Sequence, residues 1–484
     1  MDSDVTGRVG TGIADLDAVL NGGLVPGRAY TVRGEPGTGK SILGMHFLTA
    51  APDDAALYIN LEESTANVRE NAASLGIDLS DVAFCDLSPE SDYFRDNRSY
   101  DLFDPDEVEG EAVSDRIGEA IEATDPDRVF LDPATHLRQF AADESRFRKE
   151  MASLRRFLAE RDATVLFATQ PTTAHSDETL QFLTDGTIEL NRGSKGRTVE
   201  VTKFRGSGYR GGEHTLEISG EGMRVYPKLA PGDHDRTFKP DPISSGVPEL
   251  DAMLSGGLER GTVSVISGSP GVGKTTTAAH FAAEAAARGE RAALYLFEEA
   301  AETFRHRSRS IGLPVEDREA DGTLETEEVE PLALSPDVFA ANVRTAVEER
   351  DVEVVVIDGI SGYRMSILGD ETGLLRELHA LCRYLRNMGV TVVLVDDIDS
   401  VTGEFQPTSR RISYLADNIV FLRYIEYQGE IRKAVGVLKK RVSDFEPTLR
   451  RFRITGDGLA IGEPLTGLRG ILTGTPEWTD DDGS

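Results

Sequence analysis

Two octapeptides in this chain carry recognisable chemistry: Gly34-Glu35-Pro36-Gly37-Thr38-Gly39-Lys40-Ser41 and Gly268-Ser269-Pro270-Gly271-Val272-Gly273-Lys274-Thr275. Both fit G-x-x-x-x-G-K-[ST], the pattern of a polyphosphate cradle. Its glycines let backbone N–H groups turn inward around an anion. Its lysine brings positive charge to the β- and γ-phosphates, and its hydroxyl can ligate Mg²⁺, so ATP and Mg²⁺ are the expected cofactors. Phosphoryl chemistry also needs a metal-holding carboxylate, a group that orients the nucleophile, and positive charge for the transition state. Asp132 and Asp358 close apolar runs, Arg128-Val129-Phe130-Leu131-Asp132 and Val354-Val355-Val356-Ile357-Asp358. Open α/β sheets bind ligands at such strand ends. The two aspartates are therefore assigned to Mg²⁺, through water, beside Ser41 and Thr275. Glu62-Glu63 and Glu298-Glu299 end another apolar run in each half. A carboxylate there can take a proton from attacking water, with the second member of the pair orienting the first. The plainer alternative is a solvated acidic turn.

These residues require elements that position them, and the elements also occur twice. Residues 12–24 and 246–258 share a pattern ending in Gly-Gly-Leu, and an offset of 234 separates Gly12 from Gly246 and Lys40 from Lys274. The offset becomes 236 at the glutamate pairs, from Glu62 to Glu298. So long a period predicts two tandem domains rather than a solenoid. They are placed at 1–232 and 233–484, with the boundary in the turn-rich stretch Pro231-Gly232-Asp233-His234-Asp235. Each phosphate loop follows a strand-like run and precedes a helical pattern, which aims a helix N-terminus at the phosphates. Further apolar runs, such as residues 164–170 and 391–396, alternate with helical segments. This predicts an α/β fold of two tandem phosphate-loop NTPase domains, each a mostly parallel sheet flanked by helices and closed by a C-terminal hairpin. Residues 86–111 and 316–330 read as acidic loops, and the last ten residues as a disordered acidic tail.

The chain has 484 residues, 52 basic against 84 acidic, and a formal net charge of −32. Such a surface repels nucleic acid and anionic membranes, and it resembles that of proteins adapted to high salt. Cys85 and Cys382 have no metal-ligand neighbours and form no disulfide framework, so buried structural thiols are expected. No signal peptide precedes the first domain and no apolar run reaches about 18 residues, so a cytoplasmic protein is expected.

The set of motifs resembles the RecA-like ATPases, and more closely the two-domain KaiC family of circadian-clock ATPases and autokinases. The resemblance covers nearly the whole chain. It includes residues 12–24, Leu61-Glu62-Glu63-Ser64 and Leu468-Arg469-Gly470-Ile471-Leu472-Thr473-Gly474-Thr475-Pro476. It implies a homo-oligomer, a hexamer of double-ring shape, with ATP bound between subunits. It also implies that a Lys-x-Arg on a late strand enters the neighbour's site. The matching residues here are Lys203 and Arg205, and Lys439 and Arg441. Such a finger would stabilise phosphate charge in trans; the alternative is a solvated basic hairpin. Lys195, Arg197 and Arg210 lie nearby without interleaved aromatics, a weak signal for nucleic acid. The family's second domain phosphorylates itself on adjacent Ser and Thr. Ser413 holds the Ser position here, but Tyr414 replaces the Thr, so a two-site Ser/Thr cycle would not occur unchanged. Val442 stands where the first domain has Gly206, and the tail after Pro476 departs from the family. The leading expectation is an ATP-hydrolysing ring with autokinase activity in signalling or timing. A RecA-like DNA recombination or repair ATPase, and a scaffold that only binds nucleotide in its second domain, are the alternatives.

Overall fold

The computed structural model describes residues 7–91, 106–171, 177–193, 196–230, 241–330, 334–367, 371–398, 412–427 and 429–466, with 232, 332, 408, 468–469 and 477–478 as short pieces. The chain divides into two compact units, Met1–Lys228 and Leu229–Ser484.

The first unit contains β1 (Ala29–Gly34), β2 (Ala56–Asn60), β3 (Ala83–Asp86), β4 (Arg128–Asp132), β5 (Thr164–Thr169), β6 (Gly186–Gly193), β7 (Gly196–Phe204), β8 (His214–Ser219) and β9 (Gly222–Tyr226). They form one sheet in the order β3-β2-β4-β5-β1-β6-β7-β8-β9. The pairs from β3 to β6 are parallel, and those from β6 to β9 antiparallel. The inner strands are apolar throughout because both faces are covered. Along β2, Tyr58 faces one core with Leu43, Phe47 and Val68 from the helices Lys40–Leu48 and Thr65–Ser74. Leu57 and Ile59 face the other, with Ile117, Phe147 and Met151 from Asp106–Thr124 and Glu144–Ala159.

The second unit begins with the short pair β10 (Pro242–Ile243) and β11 (Leu258–Glu259). It continues with β12 (Val263–Gly268), β13 (Arg291–Leu296), β14 (Leu324–Glu328), β15 (Val352–Asp358), β16 (Thr391–Asp397), β17 (Asn418–Tyr427), β18 (Glu430–Lys440), β19 (Arg450–Thr455) and β20 (Gly458–Pro464). Their order, β14-β13-β15-β16-β12-β17-β18-β19-β20, repeats the first sheet strand for strand. Packing is preserved by compensation. In the first unit a Cβ on Gly44 would lie 2.2 Å from the ring of Phe130. The second unit has Ala278 and Val356 at these positions, so the helix side chain grows where the strand side chain shrinks, which keeps the core filled.

The acidic-loop reading of residues 316–330 is corrected here. They form a helix, Val315–Ala320, and the parallel edge strand β14. An edge strand has a neighbour on one side only, so Leu324 supplies core contact while Glu325 and Glu327 stay partly exposed. In the first unit β3 ends at Asp86 and a helix starts at Asp106; residues 92–105 lie outside the described set. Of the last ten residues, Glu477–Trp478 pairs with Leu468–Arg469, and the others are outside it. Both cysteines are free and buried.

Candidate functional site

Both octapeptides lie where a parallel strand hands over to a helix, β1 to Lys40–Leu48 and β12 to Lys274–Ala287. Gly39 and Gly273 are the N-caps, with φ of 109° and 119°, a left-handed conformation that suits glycine. Neither has a side chain to cap the first-turn amides, which leaves those N–H groups for an anion. A Cβ on either would lie 2.8 Å from the C-terminal strands, meeting Ile218 in one unit and Ile454 in the other. The late antiparallel strands therefore press directly on the loops. Thr38, Val272 and Ser269 are buried inside the turns, and Glu35, Pro36 and Pro270 are exposed on their outer side. Thr38 Oγ1 donates to the Glu35 carbonyl at 2.8 Å.

The lysines differ in their partners. Lys40 Nζ donates to the carbonyls of Gly34 (2.8 Å) and Glu35 (2.9 Å). Burial lowers its pKa, opposed by the Asp132 and Glu62 carboxylates. Lys274 Nζ donates to the Ser269 carbonyl at 3.1 Å and forms an ion pair with Asp397 Oδ1 at 2.5 Å.

The hydroxyl and the aspartate meet in both units. Ser41 Oγ donates to Asp132 Oδ2 at 2.5 Å, and Thr275 Oγ1 to Asp358 Oδ1 at 3.0 Å. Asp132 also accepts from the Tyr58 hydroxyl at 3.1 Å. Burial raises both aspartates. Asp132 is held back by its two hydroxyl donors. Asp358 is pushed up to about 7, with Thr275 as its one side-chain donor among the described residues and with Glu299 and Glu298 adding negative charge. Among the described residues no cluster of three or more His, Cys, Asp or Glu forms a ready metal site. One hydroxyl and one carboxylate fit a Mg²⁺ that takes its other ligands from phosphate and water.

The glutamate pairs stand beside these aspartates because β2 and β13 are the neighbours of β4 and β15. Glu62 and Glu63 are exposed and share a cavity of about 270 Å³ with Ser41, Tyr58, Asn71 and Asp132. Asn71 donates to Glu63 Oε2 at 3.1 Å. In the second unit Glu299 pairs with Arg307 at 2.6 Å, while Glu298 accepts from the Gly362 amide at 3.0 Å. Glu298 keeps an exposed flank, yet the protein packed around its carboxyl and the adjacent Asp397 push it up to about 6. Burial raises Glu299 too, against the pull of Arg307.

The basic residues of β7 and β18 are not brought to these sites. Tyr30 is in register with Gly186, and Gly186 with Phe204, so Lys203 and Arg205 lie at the start of β1, away from the loop at its end. Ser264, Asn418 and Lys440 place Lys439 and Arg441 in the same way. About 13 Å of strand separates each pair from its own phosphate loop. Both hairpins carry a register shift at the same point, Thr187/Ile188 and Ile419/Val420. Lys203 Nζ donates to the carbonyls of Gln181 and Thr184, both at 2.6 Å. Lys439 Nζ donates to those of Ser413 (3.1 Å) and Ala416 (2.5 Å). Burial lowers both lysines, as do the neighbouring arginines. Arg205 and Arg441 are half-exposed and face Asp185 (3.8 Å) and Asp417 (3.0 Å). Ser413 is exposed in the turn before β17, at this same end of the sheet, and Tyr414 packs edge-on against His379. Arg197 opposes Leu216 on the β7–β8 ladder, the Arg210 amide donates to the Val19 carbonyl, and Lys195 is outside the described residues.

Tyr58, Asp397, Arg307 and the two aspartates facing the arginines were not singled out from sequence. Of these only Asp397 left a signal, as the second half of a doubled aspartate where the first domain has Thr169-Gln170.

Each unit is thus a RecA-like phosphate-loop ATPase domain, and the chain is a tandem pair of them. The family model for the KaiC ATPase matches the chain twice, over residues 9–230 and 243–466, and the chain belongs to that family. The circadian clock oscillator protein KaiC of Parasynechococcus marenigrum is 27% identical over 97% of this chain and 93% of its own length. Those of Parathermosynechococcus lividus and Synechococcus elongatus are each 26% identical, over 96% and 97% of this chain and 87% and 92% of their own lengths. Among the described residues, no helix is long and apolar enough to cross a membrane.

Proposed function

We propose that this protein is an ATP-hydrolysing ring, most simply a hexamer, whose nucleotide sites are completed by the neighbouring copy and which acts in signalling or timing. The observation that carries this reading is the position of Lys203-x-Arg205 and Lys439-x-Arg441. They sit at the opposite end of the sheet from their own phosphate loops, in both units. A basic pair in that position serves another site, and a head-to-tail contact repeated by rotation closes a ring. Mg·ATP supplies the phosphoryl group. Ser41 with Asp132, and Thr275 with Asp358, hold the metal; Lys40 and Lys274 neutralise phosphate charge. Glu62 and Glu63 orient and deprotonate water in the first domain, as Glu298 and Glu299 do in the second. The clock names of the curated relatives favour timing or signalling over DNA repair, and the net charge of −32 weighs the same way.

The test is a double substitution, Glu62→Gln with Glu63→Gln, in a Lys274→Ala background. Nucleotide binding stays intact and turnover falls by roughly 10²-fold or more. Unchanged turnover removes the assignment. Mass measurement with ATP in high-salt buffer gives the ring; a strict monomer that still hydrolyses ATP refutes it.

Autokinase activity of the second domain is a second reading, favoured by the exposed Ser413 at the end of the sheet that carries the basic pair. There its hydroxyl would replace water before the neighbour's γ-phosphate, with Glu298 or Glu299 accepting the proton. The bond formed is Ser413 Oγ to phosphorus, and ADP leaves. Peptide mapping after incubation with Mg·ATP gives phosphate on Ser413 that disappears in Lys274→Ala. An unmodified Ser413 peptide at measured second-site occupancy rules the reading out.

A further inference from the structure

The second phosphate loop differs from the first in what its lysine holds. Lys274 and Asp397 form a 2.5 Å ion pair with side chains only 5% and 15% exposed. Glu298 lies close enough to the same aspartate for Asp397 to raise its pKa, so the ion pair adjoins the glutamates. The strand registers identify the matching residue of the first domain. Arg33 of β1 opposes Thr169, and Ser267 of β12 opposes Asp396, so Asp397 corresponds to Gln170. An amide thus stands where the second domain has a carboxylate. Among the described residues Lys40 forms no such ion pair and turns to the loop carbonyls of Gly34 and Glu35.

We propose that Asp397 is a latch on Lys274, an affinity-setting residue that competes with the phosphates of ATP for that ammonium. The proposal rests on the nucleotide-binding reading of the second site. The Lys274 ammonium already gives one N–H to the Ser269 carbonyl and pairs its charge with Asp397, so a phosphate competes with that carboxylate for its position and charge. A γ-phosphate that takes it must break a nearly buried ion pair, and its own charge then lies close to the released carboxylate. Salt screens such a pair little, so the competition persists at high ionic strength. Removing the carboxylate leaves Lys274 buried without its counter-ion, which destabilises the protein before nucleotide binds and not afterwards. Affinity therefore rises. If the latch is closed in about 90% of molecules, the apparent affinity is lowered roughly tenfold. The carboxylate thus makes the second domain respond to nucleotide at a higher concentration than it would without it.

The experiment titrates fluorescent N-methylanthraniloyl-ATP with Mg²⁺ into the full chain carrying Lys40→Ala, so that the second site alone reports. Asp397→Gln, which copies the first domain, and the near-isosteric Asp397→Asn each tighten binding roughly tenfold. The reciprocal change, Gln170→Asp in the Lys274→Ala background, weakens the first site by a similar factor. This arm is independent of whether the Asp397 variants fold, which their elution and circular dichroism report. Binding that is unchanged or weaker in folded Asp397 variants overturns the latch and leaves the site standing. If the Lys40→Ala protein binds no more than the Lys40→Ala/Lys274→Ala double variant, the nucleotide reading of the second site fails and the latch falls with it.

Discussion

The two domains share a cradle and differ in the charges around it. In the first, Asp132 receives two hydroxyl donors, Ser41 and Tyr58, and Lys40 bonds to neutral carbonyls. In the second, Leu294 occupies the position of Tyr58, Asp358 has Thr275 as its one side-chain donor among the described residues, and Lys274, Asp397 and Glu298 adjoin one another. The first site holds Asp132 with dipoles; the second gathers four carboxylates, Glu298, Glu299, Asp358 and Asp397, with Lys274 on Asp397 and Arg307 on Glu299. Duplication kept the backbone that binds phosphate, because loop, strand and helix N-terminus depend on one another. Side chains around the metal and nucleophile positions were free to diverge within that frame. Divergence there changes protonation and nucleotide competition and leaves the fold intact.

The largest expected effect concerns what the domains share. Arg205→Ala should lower first-site turnover by roughly 10³-fold while the same chain still binds nucleotide, since a finger acts on transition-state charge. The decisive version mixes subunits in a Lys274→Ala background. Arg205→Ala subunits supply intact cradles and Lys40→Ala subunits supply intact fingers. Turnover recovers on mixing if the finger works in trans. No recovery, with mixed assemblies shown to form, means that Arg205 acts within its own chain or not at all. Arg441→Ala should leave first-site turnover untouched, which separates the two domains.

A smaller effect separates the aspartates by pH. Asp358 is pushed up to about 7, chiefly by burial. Its raised value means that the folded chain binds a proton the unfolded chain has lost. The contribution of Asp358 to stability is therefore most favourable at low pH and falls as pH rises from about 4 through 7, with the full penalty above 7. The gap from the ordinary carboxyl value corresponds to roughly 4 kcal/mol at most. Asp358→Asn should accordingly raise the melting temperature of nucleotide-free protein by several degrees at pH 8, and the gain should vanish near pH 4. A gain that is the same at both pH values would mean that ionisation of Asp358 is not its cause.

Much of this architecture was legible because its signals are local. An apolar run ending in Asp132 or Asp358, or a glycine loop between strand and helix, announces its element within ten residues. The edge strand β14 was not legible: Glu325, Glu327 and Glu328 make Leu324–Glu328 look like a loop, and one-sided pairing is what permits them. The site contacts were hidden for another reason. Tyr58 and Leu294 both read as core residues, and periodicity does not tell that one carries a hydroxyl to an aspartate on the next strand. Arg307 looks like one more charge on a helix until Glu299 is found beside it. Placement of the Lys-x-Arg pairs away from their own loops depends on strand register, which pairing sets and sequence only suggests.

The smallest effect tests whether Tyr58 accounts for the calmer first site. Its hydroxyl donates to Asp132 Oδ2, the oxygen that also accepts from Ser41. Burial raises Asp132, and each donor pulls it back down. Tyr58→Phe deletes one donor and little volume, leaving the stacking against Phe84 and the edge contact with Phe130 in place. One such bond to a charged group is worth roughly 1.5 kcal/mol or more, so under acidic conditions, where a proton competes with Mg²⁺ for Asp132, the Mg²⁺ concentration needed for first-site nucleotide binding should rise by up to about tenfold. The pH at which that binding is half lost should also move upward, towards the behaviour of the second site. Tyr30→Phe is the control: it too loses a hydrogen bond, to the backbone of Val25, but at the other end of β1. It should reduce stability slightly and leave the Mg²⁺ requirement unchanged. If the two variants behave alike, the hydroxyl at position 58 contributes packing and stability only, and the contrast between Asp132 and Asp358 must be assigned to Glu298 and Glu299 instead.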